Sequence, residues 1–233
     1  MSSVPKLDGP RVAPAEGPAR QLVVLLHGYG ADGQDLVDLG RQWQGLLPNA
    51  AFVAPNAPTR VPGSPFGYQW FGLEGYDPDL QRRDPQAAEQ RYAGMLAKAE
   101  EAAPAIDAFL DAELAALGLT GENLALVGFS QGTMMSLHVG LRRLVAPAAI
   151  VGFSGMLVGA PSLPSQIKSR PPVLLAHGQA DPMVPANLLF PAMWALAASG
   201  VTVQAMLTPN LGHGIDPGGQ QRAGFFLYEN FAG

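Results

Sequence analysis

The stretch from Leu124 to Met135 constrains the fold of this chain more than any other. Leu124-Ala125-Leu126-Val127 is an apolar, strand-like run, Gly128-Phe129-Ser130-Gln131-Gly132 is a G-x-S-x-G turn, and Thr133-Met134-Met135 opens a helix. A strand that passes into a helix through so short a turn forces its central residue into a strained backbone conformation. Glycines two residues to either side remove the Cβ atoms that would collide where strand and helix meet. Gly128 and Gly132 satisfy that steric demand, which leaves Ser130 as a candidate nucleophile at the tip of the turn.

The remaining apolar runs supply a sheet around it. Gln21 to His27, ended by Gly28-Tyr29-Gly30, reads as a strand buried on both faces, and Ala51 to Ala54, Ala148 to Phe153, Val173 to His177 and Val201 to Leu207 read as further strands. Helices are expected over Gly33 to Leu47, Ala87 to Leu117, Gln131 to about Leu144, Ala186 to Ser199 and Gly218 to Asn230, with Pro104 kinking or dividing the second. Strands alternating with helices require crossover connections, so the fold class is α/β with a mostly parallel central sheet and helices on both faces. A length of 233 residues fits one such domain over 21–233, preceded by a flexible Pro/Ala/Gly-rich segment over 1–20. Between about 55 and 85 the chain carries Pro, Gly and aromatics with neither period, the signature of a long functional loop.

Composition removes several function classes. A net charge of −5 with no basic cluster beyond Arg82-Arg83 and Arg142-Arg143 argues against nucleic acid as a partner. The chain has no cysteine, which removes thiol catalysis, disulfides and thiolate metal sites together. No H-E-x-x-H or paired-carboxylate motif points to a metal, and the glycine turns lack dinucleotide and P-loop spacings. No run reaches membrane-spanning length and the first residues lack a signal-peptide core, so no membrane span and a cytoplasmic location are expected.

A serine hydroxyl needs an imidazole to take its proton and a carboxylate to orient that imidazole. In parallel sheets reactive groups gather beyond the carboxyl ends of strands, which leaves His27, His177 and His213, while His138 sits inside the helix after the turn. In folds with this kind of turn the acid and then the histidine follow the serine along the chain, and that order selects His213 as general base. Asp181, just past the penultimate strand, is the candidate acid; an Asp-Pro turn is its structural alternative, and Asp216 is read as the cap of the last helix. The backbone N–H of Gln131 and that of Tyr29 occupy the positions that donate to an oxyanion, although a plain glycine turn also accounts for His27-Gly28-Tyr29-Gly30.

Five motifs, in consistent order from Leu22 to Tyr228, resemble the phospholipase/carboxylesterase family of α/β-hydrolases, a group that includes acyl-protein thioesterases and small bacterial carboxylesterases. They are Leu26-His27-Gly28-Tyr29-Gly30-Ala31-Asp32-Gly33, Gly128-Phe129-Ser130-Gln131-Gly132, Phe153-Ser154-Gly155, His177 to Pro185 and Gly212-His213. The resemblance implies an α/β-hydrolase fold and hydrolysis of short to medium acyl esters through an acyl-enzyme. It implies Ser130 as nucleophile, His213 as base, Asp181 as its partner, and the Tyr29 and Gln131 N–H groups as oxyanion hole. It further implies no cofactor, a small-molecule ester or thioester substrate and a homodimer. The acyl groove is expected to be walled by the 55–85 loop, with Trp70, Phe71 and Met183 binding substrate. The alternatives are an acyl-protein thioesterase or lysophospholipase using the same residues, and a non-catalytic ligand binder on the same fold. Tyr29 is a departure, standing where thioesterase members often carry an aliphatic residue.

Overall fold

The computed structural model describes residues 4–231. In chain order the strands are β1 (Arg11–Val12), β2 (Gln21–Leu26), β3 (Ala50–Val53), β4 (Thr59–Arg60), β5 (Tyr68–Gln69), β6 (Leu124–Phe129), β7 (Ala149–Phe153), β8 (Val173–Gly178) and β9 (Val203–Thr208). The helices are α1 (Gln34–Trp43), α2 (Leu80–Arg83), α3 (Pro85–Leu117), α4 (Gln131–Gly140), α5 (Leu163–Gln166), α6 (Leu189–Ala198) and α7 (Pro217–Phe231). One seven-stranded sheet runs in the order β1-β3-β2-β6-β7-β8-β9. Only β1 is antiparallel to its neighbour; every other adjacent pair is parallel.

Because successive strand residues point to opposite faces, the apolar strands serve two cores at once. Val24, Leu26, Leu124, Leu126 and Ile150 pack with Ile106 and Leu110 of α3, Met134 and Leu137 of α4 and Leu196 of α6. Val23, Leu25, Ala125, Val127 and Val151 pack on the other face with Leu36 and Trp43 of α1 and Phe226 and Leu227 of α7. The fold is therefore a mostly parallel sheet between two helical layers. After β2 the chain moves outward to β3, whereas after β6 it moves the opposite way through β7 and β8 to β9. The order reverses between β2 and β6, and a crevice opens beyond the carboxyl ends of strands at such a switch point.

Four expectations change. The 1–20 segment, expected to be flexible, instead packs along the sheet: β1 pairs with β3, Leu7 is buried, and Arg11 bridges Asp8 and Glu113. Residues 1–3 of it lie outside the described residues. The helix after the G-x-S-x-G turn stops at Gly140 rather than Leu144, and of the two alternatives for Pro104, a kink or a division, α3 excludes the division by running through it as one helix. Pro104 sits on the exposed side of α3, where water can satisfy the carbonyl that proline leaves without a donor. The 55–85 loop is not wholly irregular, since β4 and β5 form a small antiparallel hairpin within it.

Candidate active site

Ser130 follows β6 with φ 52° and ψ −114°, a conformation that costs a non-glycine residue roughly 1–3 kcal/mol. Surrounding bonds hold it there: the Ser130 N–H donates to Phe153 O at 2.8 Å, and the Thr133 hydroxyl lies 2.8 Å from both Gly128 O and Phe153 O. The glycine requirement is steric. A Cβ on Gly132 would stand 1.8 Å from Leu26 O, and one on Gly128 would stand 2.4 Å from the Gly132 carbonyl. The first turn of α4 thus lies directly against the end of β2, at the switch point.

The loops after β8 and β9 bring Asp181 and His213 to the same place. His213 Nδ1 lies 2.7 Å from Asp181 Oδ2, and its ring packs on Phe129 with centroids 4.9 Å apart. Asp181 is buried, which by itself would raise its pKa, yet the carboxyl is held well below the ordinary carboxylate range. The cause is the set of donors around the charged form: His177 Nε2, 3.3 Å away and also bonded to Val184 O at 2.9 Å, then His213, and the N–H groups of Val184 and Met183 at 2.9 and 2.8 Å. Asp181 therefore stays ionised and keeps the His213 proton on Nδ1, leaving Nε2 as the basic nitrogen. Asp216 does cap the last helix, accepting from Gly218 N and Gly219 N at 3.2 and 3.3 Å.

The two expected oxyanion donors differ in placement: Tyr29 lines the cavity beside Ser130, whereas Gln131 is buried at the start of α4. The N–H groups of Tyr29 and Gln131 have no hydrogen-bond acceptor among the described residues, and Gln131 N–H lies at the positive end of α4. Ser130, Tyr29 and His213 line one cavity of about 280 Å³, together with Gly28, Leu73, Tyr76, Met134, Met183 and Val184. The Ser130 hydroxyl is hydrogen-bonded to no other group among the described residues; bonds of this kind often close only when substrate is present.

The expected substrate residues divide. Met183 lines the cavity, half exposed, but Trp70 and Phe71 are buried and do not line it. Trp70 instead donates its indole N–H to His27 O at 2.9 Å, and its backbone N–H to the Gln131 side chain. A buried indole must find an acceptor, and that need directs it inward. The cavity wall contributed by the 55–85 loop is Leu73 and Tyr76, whose hydroxyl donates to Met183 O at 2.6 Å. Tyr76, the Gln131 side chain and the supporting roles of His27 and His177 are not readable in the sequence; only the presence of polar groups inside apolar runs hints at them. His27 is buried, and because Ala57 N–H donates to its Nε2 at 3.0 Å, its Nδ1 carries the proton toward Gly28 O at 2.8 Å.

Comparison with known proteins agrees with this architecture. Residues 7–230 match the family model described as phospholipase/carboxylesterase. Acyl-protein thioesterase 1 of Schizosaccharomyces pombe is 33% identical over 71% of this chain and 70% of its own length. Esterase YpfH of Escherichia coli is 26% identical over 85% of this chain and 78% of its own. The crystal structure of esterase PE8 superimposes with a TM-score of 0.86 at 43% identity, covering 96% of this chain and 99% of that one. With a match that spans nearly its whole length, the chain belongs to the phospholipase/carboxylesterase family of α/β-hydrolases.

Proposed function

We propose that the protein is a serine carboxylesterase that hydrolyses short to medium acyl esters through an acyl-enzyme on Ser130. The observation that carries this reading is the 2.7 Å bond from ionised Asp181 to His213, in a cavity that also presents Ser130 on a strained turn. In the first half-reaction Ser130 Oγ attacks the ester carbonyl carbon while His213 Nε2 takes the hydroxyl proton. The oxyanion of the tetrahedral intermediate accepts from the N–H groups of Tyr29 and Gln131. Collapse breaks the bond to the alkoxide, His213 returns the proton to it, and the alcohol leaves. Water then repeats the sequence on the acyl-serine, with His213 as base, to release the carboxylic acid and free Ser130. Every step uses groups of the chain and water.

A volume of about 280 Å³ lies just below the roughly 300–1,000 Å³ typical of small-molecule pockets, which favours short acyl groups. Acyl-protein or lysolipid thioester and ester hydrolysis is the second reading, favoured by the likeness to the S. pombe acyl-protein thioesterase 1. Ser130→Ala should reduce p-nitrophenyl butyrate turnover by about 10⁶-fold, and a fluorophosphonate probe should label the native protein at Ser130 alone. Retained turnover in that variant would overturn the assignment. A panel of ester, thioester and lysolipid head groups across chain lengths separates the two substrate readings.

A further inference from the structure

The residue after the nucleophile has two parts that point in different directions. Its backbone N–H opens α4 directly after Ser130 and has no acceptor among the described residues, while its amide side chain is fully buried and reaches the 55–85 loop. There Gln131 Oε1 accepts from Trp70 N–H at 2.9 Å and Nε2 donates to Phe71 O at 2.7 Å. Those two bonds hold the segment immediately after β5, and that segment in turn holds the loop after β2. Trp70 Nε1 donates to His27 O at 2.9 Å on one side of Tyr29. On its other side Gly30 N–H donates to Tyr68 O at 2.9 Å, and Tyr68 N–H donates to Ala31 O at 2.8 Å. Backbones approach so closely here that a Cβ on Gly67 would lie 2.1 Å from Gly30 O. Tyr29 is thus suspended between two staples, both mounted on the Tyr68-to-Phe71 segment, which Gln131 anchors.

We infer that the Gln131 side chain is a positioning residue that sets the distance between the two oxyanion donors, its own N–H and that of Tyr29. The inference rests on the proposed esterase reading and adds a role to it. The donors belong to segments far apart in the chain, Tyr29 on the loop after β2 and Gln131 at the start of α4, which pack where Gly132 meets Leu26 O. A rigid amide bracket from α4 to the loop that carries the second donor links them into one unit. The physical reason for an amide is that it supplies one donor and one acceptor to a backbone N–H and a backbone C=O without placing a charge in a buried site. Transition-state stabilisation depends on that spacing because the oxyanion forms only in the transition state, so the effect should fall on kcat and leave KM nearly unchanged.

The test is Gln131→Met, which keeps the backbone N–H and approximate volume but removes both side-chain bonds. The expected result is a kcat per fluorophosphonate-titrated site reduced by about 10- to 100-fold with KM within about threefold. Affinity for a trifluoromethyl ketone, which becomes a tetrahedral adduct, should fall in parallel, while affinity for the carboxylic acid product holds. A merely structural role would lower the number of titratable sites without changing turnover per site. Turnover per site within about twofold of native, or a loss confined to KM, overturns the inference. Where Gln131→Met fails to fold, Trp70→Phe removes the indole bond at the far end of the same chain of contacts and should lower kcat per site about tenfold; no change there overturns it equally. If the native protein takes no fluorophosphonate label at Ser130, the esterase reading itself fails. If it does, and Gln131→Met is unaffected, only the positioning role fails.

Discussion

The two sides of the candidate site are built by different means. On the acid–base side, Asp181 is held by His177, Met183 and Val184, all within four residues of it, and among the described residues its distant partner is His213. On the oxyanion side, the bonds join positions far apart in the chain: Trp70 to His27, Trp70 and Phe71 to Gln131, Ala57 to His27. The first side concentrates charge, and its order comes from hydrogen bonds to a carboxylate. On the second the ordering bonds are neutral, made by amide, indole and imidazole groups that satisfy buried backbone. A charged group is strongly coupled to pH and to its immediate neighbours, while neutral bonds to backbone transmit geometry with little dependence on pH. The Asp181 cluster is thus built largely from neighbours in sequence, whereas the contacts around Tyr29 and Gln131 depend on the fold as a whole.

The largest effect that would sharpen this contrast is in Asp181→Asn. Removing the charge should lower kcat by about 10⁴-fold while leaving KM and the fold near native; steady-state kinetics on a short-chain ester decides it. The same variant tests the electrostatics through stability. Asp181 has a folded pKa below its unfolded value of about 3.9, so its contribution is present above about pH 4 and lost as pH falls below that. Urea unfolding should therefore show a shallower acid limb in Asp181→Asn than in the native protein.

His138 provides a titrating group outside both sides of the site. It is buried in α4 and its pKa is pushed down to about 4, by burial first and by Arg142 second. Since its folded pKa lies below the unfolded value of about 6.5, it favours the folded state fully above pH 6.5 and loses that contribution as pH falls toward 4. His138→Gln should flatten the stability profile over that window and leave kcat within about twofold of native. A large fall in kcat would contradict this separation, because it would couple a remote buried imidazole to the chemistry.

Tyr76 bridges the two sides, standing on the 55–85 loop with its hydroxyl on Met183 O of the acid loop. Tyr76→Phe removes one hydrogen bond, worth about 1 kcal/mol. It should broaden the acyl-chain-length profile with little change in turnover of the best short substrate. An unchanged profile would mean that the bridge does not close the end of the cavity.

Much of the fold was legible because its signals are local. Each strand of the parallel sheet from β2 to β9 is an apolar run bounded by turn residues, and the elbow declares itself through two glycines at fixed offsets. Asp181 and His213 could be selected because strand ends and chain order leave few positions open. The misread elements share one feature, which is dependence on partners distant in sequence. β1 exists only because β3 offers an edge, and Pro104 is tolerated only because its face of α3 meets solvent. Trp70 and Phe71 read as pocket walls by their aromatic character, yet buried polar groups on His27 and Gln131 turn that segment inward.

By itself, then, the sequence determined the periodicity of the sheet, the strained serine turn and the order in which serine, acid and histidine are met along the chain. These follow from steric demands and side-chain patterns that operate within a few residues. Only the tertiary structure decided which backbone N–H groups are left without an acceptor, which aromatics line the cavity and how the Gln131 amide ties α4 to the segment after β5. Those outcomes depend on satisfying every buried polar group at once, and a pattern confined to neighbouring residues carries no record of that condition.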